Sequence, residues 1–160
     1  LVVRPRDVFD NAQPCGGSVA SDALLKLAVF TGNNDYNAKA AVPLRSLHQA
    51  MTQSPGGTGH WLNAVDFYVS PSKEIAVIGP RNDPATQALL DVVFQRFLPN
   101  KVVMGTEISP TPPSDEGGSD FPLLQDRIMV GGLPSAYVCE NYTCQLPVTD
   151  PDALAEQLSQ

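Results

Sequence analysis

Two cysteines near the end of the chain are the residues best suited to redox chemistry. Cys139 and Cys144 have four residues between them, and the chain has three cysteines in all. A reactive thiol needs a positive neighbour or a helix N-terminus that stabilises its thiolate, and Glu140 beside Cys139 opposes this. The spacing also differs from the C-x-x-C motif of thioredoxin-like proteins. The pair is therefore either a redox couple or a buried strand cysteine with a second packed thiol.

A metal site on the same cysteines would need further ligands from elsewhere in the chain. Zinc prefers four ligands in closely spaced pairs. The available histidines, His48 and His60, both lie in the part of the sequence predicted to be helical. We therefore predict no metal site and no cofactor.

Another place for chemistry is the turn that joins a predicted strand to a predicted helix. Gly79, Pro80 and Arg81 follow a short apolar run and precede a helix that starts near Asp83. Helix N-termini in such positions can bind anions. The glycine pattern of nucleotide-binding folds is absent, so we interpret the segment as a turn.

The composition is that of a globular, acidic chain. Of its 160 residues 42% are hydrophobic and 17% charged, and the net charge is −7. This balance argues against nucleic acids and anionic membranes as partners, and no apolar run approaches membrane-spanning length. The odd number of cysteines favours a reducing compartment, so we predict a cytoplasmic protein. A chain that starts with Leu1 and shows no signal peptide is also expected to be a fragment of a longer protein.

The elements that position these residues begin with helices. Apolar spacing predicts helices over 19–30, 35–52 and 58–69. Ser18 would cap the first helix, which is apolar enough to be buried on most sides, and Pro43 would kink or split the second. The buried face of the third is predicted to carry Trp61, Val65 and Tyr68. Three such helices make a poor closed core, so they need partners from the rest of the protein or from a second copy.

From residue 73 the spacing changes to that of an α/β unit. The run over 73–79 predicts a strand buried on both faces, and Asp83 with Pro84 predicts the start of a helix. The residues predicted to bury that helix are Leu89, Leu90, Val93 and Phe97. Further predicted elements are strands over 102–104 and 135–139, a surface loop over 106–120 and a last helix capped by Thr149. The first two strands and their helix would form a parallel βαβ unit.

The predicted fold class is therefore α+β or α/β. A helical segment over 1–72 is followed by a small α/β unit over 73–160, made of a βαβ unit, a further strand and a C-terminal helix.

Several segments together resemble a known family. They are Asp10-Asn11-Ala12-Gln13-Pro14 with Ser18-Val19-Ala20, Lys73-Glu74-Ile75, Phe97-Leu98-Pro99-Asn100-Lys101, and the long stretch from Ala136 to Pro151 that contains both late cysteines. They resemble the C-terminal end of the YyaL-type proteins, the relatives of spermatogenesis-associated protein 20. One departure is Cys15-Gly16-Gly17, where the family tends to have Ser-Gly-Asn.

The resemblance implies an N-terminal thioredoxin-like domain, then an α/α toroid similar to that of sugar epimerases and six-hairpin glycosidases, then a C-terminal tail. On that basis the segment over 1–72 is the end of the toroid. The expected partner is the missing N-terminal portion of the same protein, with self-association as the alternative. The resemblance implies no established biochemical activity.

If the first helices end a toroid, the loop before them lines the mouth of its cavity. The candidate catalytic groups are then Asp10, Asp66 and His60, and the candidate sugar ligands are Asn11, Ser18 and Trp61. Sugar chemistry commonly uses two carboxylates, and Asp66 is the weaker second one. In the alternative interpretation, Asp10 with Asn11 forms a turn, Ser18 caps a helix, and Trp61 belongs to the core.

Three hypotheses of function follow, and each predicts a geometry. A piece of a carbohydrate-active toroid requires Asp10 and His60 to face one concave pocket. A thiol or redox module requires the Cα atoms of Cys139 and Cys144 to lie within about 7 Å, with one sulfur accessible. A docking domain without catalysis requires a large exposed apolar face on the first three helices.

Overall fold

The computed structural model describes residues 7–107, 121–140 and 143–160. Within these ranges the chain forms six α-helices and a four-stranded mixed sheet, so the predicted α+β class is confirmed. The chain divides into two compact units, one ending at Ser70 and the other beginning at Pro71. None of the helices in these ranges is both long and apolar enough to span a bilayer. The assignment of the first unit to the end of a toroid stays a prediction.

The first unit is built from four helices. They are α1 (Gly16–Thr31), α2 (Asn34–Ser46), α3 (His48–Gln53) and α4 (Gly59–Val69), with a short 3-10 turn at Pro55–Gly57. The second predicted helix is split, as its proline suggested: the break lies at Leu47, one turn after Pro43, and the N–H of Leu47 still reaches the carbonyl of Pro43.

The start of α1 corrects one prediction. Cys15, and not Ser18, is the N-cap, because the sulfur of Cys15 accepts a hydrogen bond from the N–H of Ser18 at 3.4 Å. Ser18 lies inside the helix and is fully buried. Sulfur is an uncommon cap, so residue preferences pointed to the hydroxyl instead. At the other end Gly32 has a φ of 66°, a conformation that suits glycine at a helix end.

The buried face of α4 also differs from the prediction. Trp61, Ala64 and Phe67 are buried, whereas Val65 and Tyr68 are only partly covered. The helix is thus rotated about its axis relative to the prediction, and Trp61 packs closely on α1. A Cβ added at Gly17 would lie 2.9 Å from the indole ring.

Replacing Gly17 by alanine is expected to lower the free energy of unfolding by about 1–2 kcal/mol. The added methyl would meet the ring of Trp61, which is only 3% exposed and cannot move aside, and overpacking outweighs the gain in helix propensity. Gly16→Ala is the matched control, because nothing lies within 4 Å of its added methyl. Urea unfolding of both variants checks this, and equal stability of the two would contradict it.

The first helix is less buried than predicted. It packs against α2 and α4, which leaves Val19 and Leu27 46% and 42% exposed. Two neighbouring helices cannot cover a helix that is apolar on several sides. Further large apolar side chains exposed on this unit are Phe9, Val42, Leu62 and Val69.

The second unit is built on a sheet. Its elements are β1 (Lys73–Ile78), α5 (Pro84–Gln95), β2 (Lys101–Thr106), β3 (Ser135–Glu140), β4 (Thr143–Cys144) and α6 (Pro151–Gln157), with a 3-10 turn at Pro122–Leu124. The strand order is β2-β1-β3-β4. The strands β1 and β2 are parallel, while β3 runs antiparallel to both β1 and β4. The predicted parallel βαβ unit is confirmed, and β4 was not predicted. The predicted loop over 106–120 lies outside the described residues from 108 onward.

Apolar clusters cover both faces of this sheet. The first joins the strands to α5 and α6 through Ile75, Val77, Ala136, Val138, Leu89, Val93, Leu154 and Leu158. The second, on the other face, contains Ala76, Ile78, Tyr137 and Leu123. The central strand β1 is therefore buried on both faces, as its continuous apolar run predicted.

The two helices of this unit confirm one cap and correct another. Asp83 caps α5 and Pro84 is its first residue, as predicted. Phe97 was expected on the buried face, but it lies beyond the end of α5 and is 92% exposed. Asp150, and not Thr149, caps α6, because its carboxylate accepts from the backbone N–H groups two and three residues on. An aspartate followed directly by proline repeats the pattern that starts α5.

Candidate functional site

The two late cysteines face each other across β3 and β4. Cys139 pairs with Cys144 in the antiparallel register, their sulfurs are bonded to each other, and their Cα atoms lie 3.9 Å apart. On the other side of Cys139, the register with β1 places Glu74 directly opposite. Since directly opposed residues share one face of a sheet, Glu74, Cys139 and Cys144 form a row on that face.

The two bonded cysteines differ in their access to solvent. Cys139 is 2% exposed, whereas Cys144 lies on an exposed strand. Both geometric conditions of a redox pair therefore hold. The third cysteine, Cys15, is a buried free thiol. The three cysteines are therefore one bonded pair and one buried thiol. Their odd number no longer favours a reducing compartment.

Arg127 contacts both sulfurs of the pair. Its Nη2 lies 3.0 Å from Cys144 Sγ and 3.3 Å from Cys139 Sγ. Its guanidinium carbon lies 4.7 Å from the centre of the Tyr137 ring, a cation–π arrangement that steadies the charged group. The arginine therefore places a positive charge where a cysteine thiolate would form on reduction.

The backbone beside Arg127 is held in place. The hydroxyl of Tyr137 donates to the carbonyl of Ile128 at 2.8 Å and accepts from its N–H at 3.3 Å. Asp126 has a φ of 58°, the single positive value of a non-glycine residue in the described ranges. Such a conformation costs on the order of 1 kcal/mol and persists where surrounding contacts enforce it. The turn at Asp126 and the bonded tyrosine together fix the segment that carries the arginine.

Two carboxylates adjoin the cysteine pair. Burial raises the pKa of Glu74 above its ordinary value of 4.5, and attraction to the Arg127 guanidinium offsets part of this rise. Glu140, which was expected to oppose a thiolate at Cys139, lies 3.5 Å from Lys73 Nζ. The charge of Glu140 is therefore partly balanced by a neighbouring cation.

Asp10 joins the N-termini of α1 and α4. Its Oδ1 accepts from the N–H of Cys15 and the hydroxyl of Ser18, both at 2.8 Å, and its Oδ2 accepts from the N–H of His60 at 2.9 Å and of Trp61 at 3.4 Å. Burial raises the pKa of Asp10, but these hydrogen bonds outweigh it and hold the pKa below 3.8. The carboxylate is thus held ionised as a shared cap for two helices.

The other candidates in the first unit serve the same network. Ser18 is fully buried, and Trp61 is 3% exposed with its Nε1 donating to the Val8 carbonyl at 2.8 Å, so little of its ring is available for stacking. His60 reaches Asp10 through its backbone N–H, and its buried Nε2 has no hydrogen-bond partner among the described residues. The structure brings these residues together through backbone contacts and core packing.

An open cavity of about 1190 Å³ lies beside the start of α1. Asn11 and Trp61 are among the residues that line it, and Asp10 and His60 are not. Asp66 lies on the exposed side of α4, where its carboxylate accepts from the Ser70 hydroxyl at 3.1 Å. The cavity therefore does not join the candidate catalytic groups, whose catalytic roles stay predictions.

Sequence reasoning missed two residues of the cysteine site. Arg127 lies 12 residues before Cys139 in an irregular segment, and no spacing pattern links an arginine there to a cysteine in a strand. Glu74 did leave a signal, since a carboxylate at the start of a strand buried on both faces needs a compensating partner.

Comparisons with known proteins give relatives but no solved neighbour. The chain is 31% identical to human spermatogenesis-associated protein 20 over 158 residues, which are 99% of this chain and 20% of the human protein. The mouse protein of the same name is 29% identical over 160 residues, again 20% of its length. An uncharacterised Caenorhabditis elegans protein is 25% identical over 157 residues. No protein-family model and no solved structure matches the chain. The chain thus spans 20% of the length of the curated relatives it matches.

Proposed function

We infer that the chain corresponds to a C-terminal region of a protein similar to spermatogenesis-associated protein 20. We propose that its second unit exchanges disulfide bonds with a thiol partner through Cys139 and Cys144. The observation that supports this proposal is the position of Arg127, whose Nη2 lies within 3.3 Å of both sulfurs while Cys144 is exposed. The names of the relatives state no activity, so the proposal rests on the site.

The exposed cysteine makes the first attack. The thiolate of reduced Cys144 attacks a partner disulfide, which forms a mixed disulfide and releases one partner thiolate. The thiolate of Cys139 then attacks Cys144 Sγ, which closes the Cys139–Cys144 bond and releases the second partner thiolate. Two electrons pass from the cysteine pair to the partner, and the two thiol protons end on the partner's sulfurs. The reverse sequence, with a partner dithiol as reductant, reopens the bond.

Arg127 favours the first attack. A guanidinium within hydrogen-bond distance of a sulfur stabilises the thiolate over the thiol. Because Arg127 contacts both sulfurs, it also stabilises whichever sulfur leaves when the bond reopens. A stabilised leaving thiolate makes this reopening faster.

Glu74 serves the second attack in this scheme. Cys139 is buried, so its proton needs an acceptor within the protein. Glu74 lies directly opposite Cys139 in the sheet register, and its raised pKa makes its carboxylate a better proton acceptor than an ordinary glutamate.

Replacing Glu74 by glutamine is expected to raise the stability of the fold at neutral pH and to slow ring closure, the formation of the Cys139–Cys144 disulfide. Because the folded-state pKa of Glu74 is raised, the protonated carboxyl is favoured by folding. Its stabilising effect is complete below pH 4.5 and is lost as pH rises through the raised pKa. At neutral pH the Glu74→Gln variant should therefore be more stable than the native chain by a fraction of a kcal/mol, and near pH 4 the two should be equal.

The same variant should close the Cys139–Cys144 bond more slowly, because the buried thiol has lost its acceptor. Chemical unfolding at pH 4 and pH 7, with ring-closure rates by quenched alkylation, gives both readouts. Glu156→Gln on the exposed side of α6 is the matched control. Unchanged closure rates would remove Glu74 from the scheme.

The roles of the two cysteines are tested by trapping. With oxidised glutathione as the probe, reduced Cys139→Ser should form a mixed disulfide at Cys144 at least about tenfold faster than reduced Cys144→Ser does at the buried Cys139, because thiol exchange requires access. Both variants carry Cys15→Ser to remove the background thiol. Equal trapping rates, or faster trapping at Cys139, would contradict the proposal.

A second proposal concerns the first unit. Its large exposed apolar side chains, which include Leu27, Val42 and Val69, support a docking role in which another part of a longer protein covers them. The curated relatives extend well beyond the region matched here, and a thioredoxin-like domain in such a protein would be a fitting partner for the cysteine pair.

Fewer observations support the sugar-binding hypothesis. The cavity beside α1 retains Asn11 among its lining residues, but the carboxylate of Asp10 and the ring of Trp61 are already engaged within the protein. Sugar binding and a toroid origin of these helices therefore rank behind disulfide exchange.

A further inference from the structure

Two large apolar side chains close in sequence to Cys144 and Arg127 are exposed to solvent. Ile128, which follows Arg127 in the chain, is 63% exposed, and Leu146, two residues after Cys144, is 84% exposed. Single exposed apolar residues are common on protein surfaces. The significance of these two therefore depends on where they lie relative to the exposed sulfur.

The pairing of β3 places Leu146 next to the cysteine pair. The residues on either side of Leu146 and Pro147 are paired with the two neighbours of Tyr137 in β3, so both lie opposite Tyr137 in a β-bulge. Tyr137 and Cys139 share one face of the sheet because they are two residues apart in a strand. Leu146 is therefore beside Tyr137 and about 7 Å along the chain from Cys144.

Ile128 adjoins the same tyrosine. Its backbone N–H and carbonyl are both bonded to the Tyr137 hydroxyl, at 3.3 and 2.8 Å. The guanidinium of Arg127 lies over the Tyr137 ring and contacts the Cys144 sulfur. Tyr137 and Arg127 thus link the two exposed apolar residues to the exposed sulfur. We call Ile128 and Leu146 the apolar rim of the site.

Any peptide joined to Cys144 must run close to the apolar rim. A disulfide holds its two Cα atoms no more than about 7 Å apart, and an extended peptide advances about 3.3 Å per residue. The residues on either side of the partner's cysteine therefore come within reach of Ile128 and Leu146. Formation of the mixed disulfide would cover apolar surface that is open in the free chain.

The charges near the site disfavour an acidic partner. The side chain of Glu140, the residue after Cys139, is 44% exposed, and the chain as a whole has a net charge of −7. A partner that brings carboxylates to this surface meets charges of its own sign. Arg127 is the nearby cation, and it is already engaged with the two sulfurs and with Tyr137.

We propose that the partner in disulfide exchange is a protein cysteine flanked by uncharged apolar residues; this inference rests on the exchange at Cys144 proposed above. The Cys144 thiolate bonds to that cysteine's sulfur, and the sulfur formerly bonded to it leaves as a thiolate. The flanking residues then pack on Ile128 and Leu146, which favours the mixed disulfide through the burial of apolar surface. A small anionic disulfide gains no such burial.

Two neutral tripeptides with blocked ends test this preference, leucyl-cysteinyl-leucine and seryl-cysteinyl-serine. Each is supplied as its mixed disulfide with thionitrobenzoate, so that attack on the peptide's sulfur releases a coloured thiolate. The chain carries Cys15→Ser and Cys139→Ser, which leaves Cys144 as its one thiol. After division by the rates with 2-mercaptoethanol, the leucyl peptide should react about tenfold faster than the seryl peptide.

Substitutions in the apolar rim should reduce this ratio without affecting the chemistry. Ile128→Ser and Leu146→Ser should each lower the leucyl-to-seryl ratio about threefold and leave the rate with the seryl peptide unchanged. Phe97→Ser is the matched control, because Phe97 is 92% exposed and follows α5, which packs on the other face of the sheet. An equal fall of the ratio in Phe97→Ser and Leu146→Ser would contradict the role of the rim.

The same rates separate this inference from the exchange on which it rests. If the leucyl and seryl peptides react equally, but both faster at Cys144 than at Cys139 in a Cys144→Ser chain, the preference for apolar partners is overturned and disulfide exchange stands. If neither peptide reacts faster at Cys144 than at Cys139, both proposals are overturned.

Discussion

Replacing Arg127 by methionine is expected to slow the alkylation of reduced Cys144 about tenfold at pH 7. The guanidinium lies 3.0 Å from Cys144 Sγ, and an opposite charge at that distance favours the thiolate by one to three powers of ten. Arg127→Lys keeps the charge and should lose less than half of the effect in logarithmic rate, since a lysine cannot contact both sulfurs in the same way. Stopped-flow alkylation of the Cys15→Ser background across pH 6–9 measures this.

The same alkylation rates distinguish the loss of thiolate stabilisation from a general loosening of the structure. If methionine only loosened the hairpin, Cys144 alkylation would become faster or stay unchanged, because a loosened thiol is more accessible. Equal rates for the native arginine and for methionine over the whole pH range would show that Arg127 does not activate the pair.

Replacing Asp10 by alanine is expected to lower the free energy of unfolding of the first unit by about 2–4 kcal/mol. The carboxylate accepts hydrogen bonds at the starts of both α1 and α4. Its removal leaves the N–H groups of Cys15 and His60 without their acceptor, although the Cys15 sulfur still caps α1. Asp10→Asn should cost less, since one amide oxygen can still accept from one of the two helices.

The effect of Asp10 depends on pH with a definite sign. Because hydrogen bonds hold its pKa below 3.8, its stabilising effect is complete above that value and is lost as pH falls through the lowered pKa. The difference between native chain and Asp10→Asn should therefore be constant from pH 5 to 8 and shrink in stronger acid. Asp35→Asn in the first turn of α2 is the control and should cost about 0.5 kcal/mol or less. If replacing Asp10 lowered the free energy of unfolding no more than Asp35→Asn does, its role as a shared cap would be contradicted.

Local sequence signals predicted most of the fold. Asp83 with Pro84 marks a helix start through the chemistry of two adjacent residues, and the run from Ile75 to Ile78 marks a buried strand through its own composition. Such signals do not depend on distant contacts, and the structure agrees with them. The error at Phe97 has the same origin, because helical spacing alone does not show where a helix ends.

The candidate site depended on contacts that sequence cannot show. The partners of the Asp10 carboxylate on α4 lie 50 and 51 residues away, so the sequence left both a turn and catalysis open for this residue. The pairing of Cys139 with Cys144 follows from a two-residue strand, too short for any periodicity. Arg127 reaches the sulfurs from an irregular segment beside the turn at Asp126 and the Tyr137–Ile128 hydrogen bond.

The proposed exchange needs a bond between Cys139 and Cys144 that opens and closes while the protein stays folded. Intact mass after alkylation in denaturant, on chain taken from matched oxidised and reduced glutathione buffers, measures this most directly. We predict one labelled thiol, Cys15, and a mass two hydrogens lower in the oxidised buffer, and three labelled thiols after reduction. We further predict that the folded reduced chain closes the bond again faster than the urea-unfolded chain. Three labelled thiols in both buffers, or closure no faster when folded, would contradict disulfide exchange as the function of this unit.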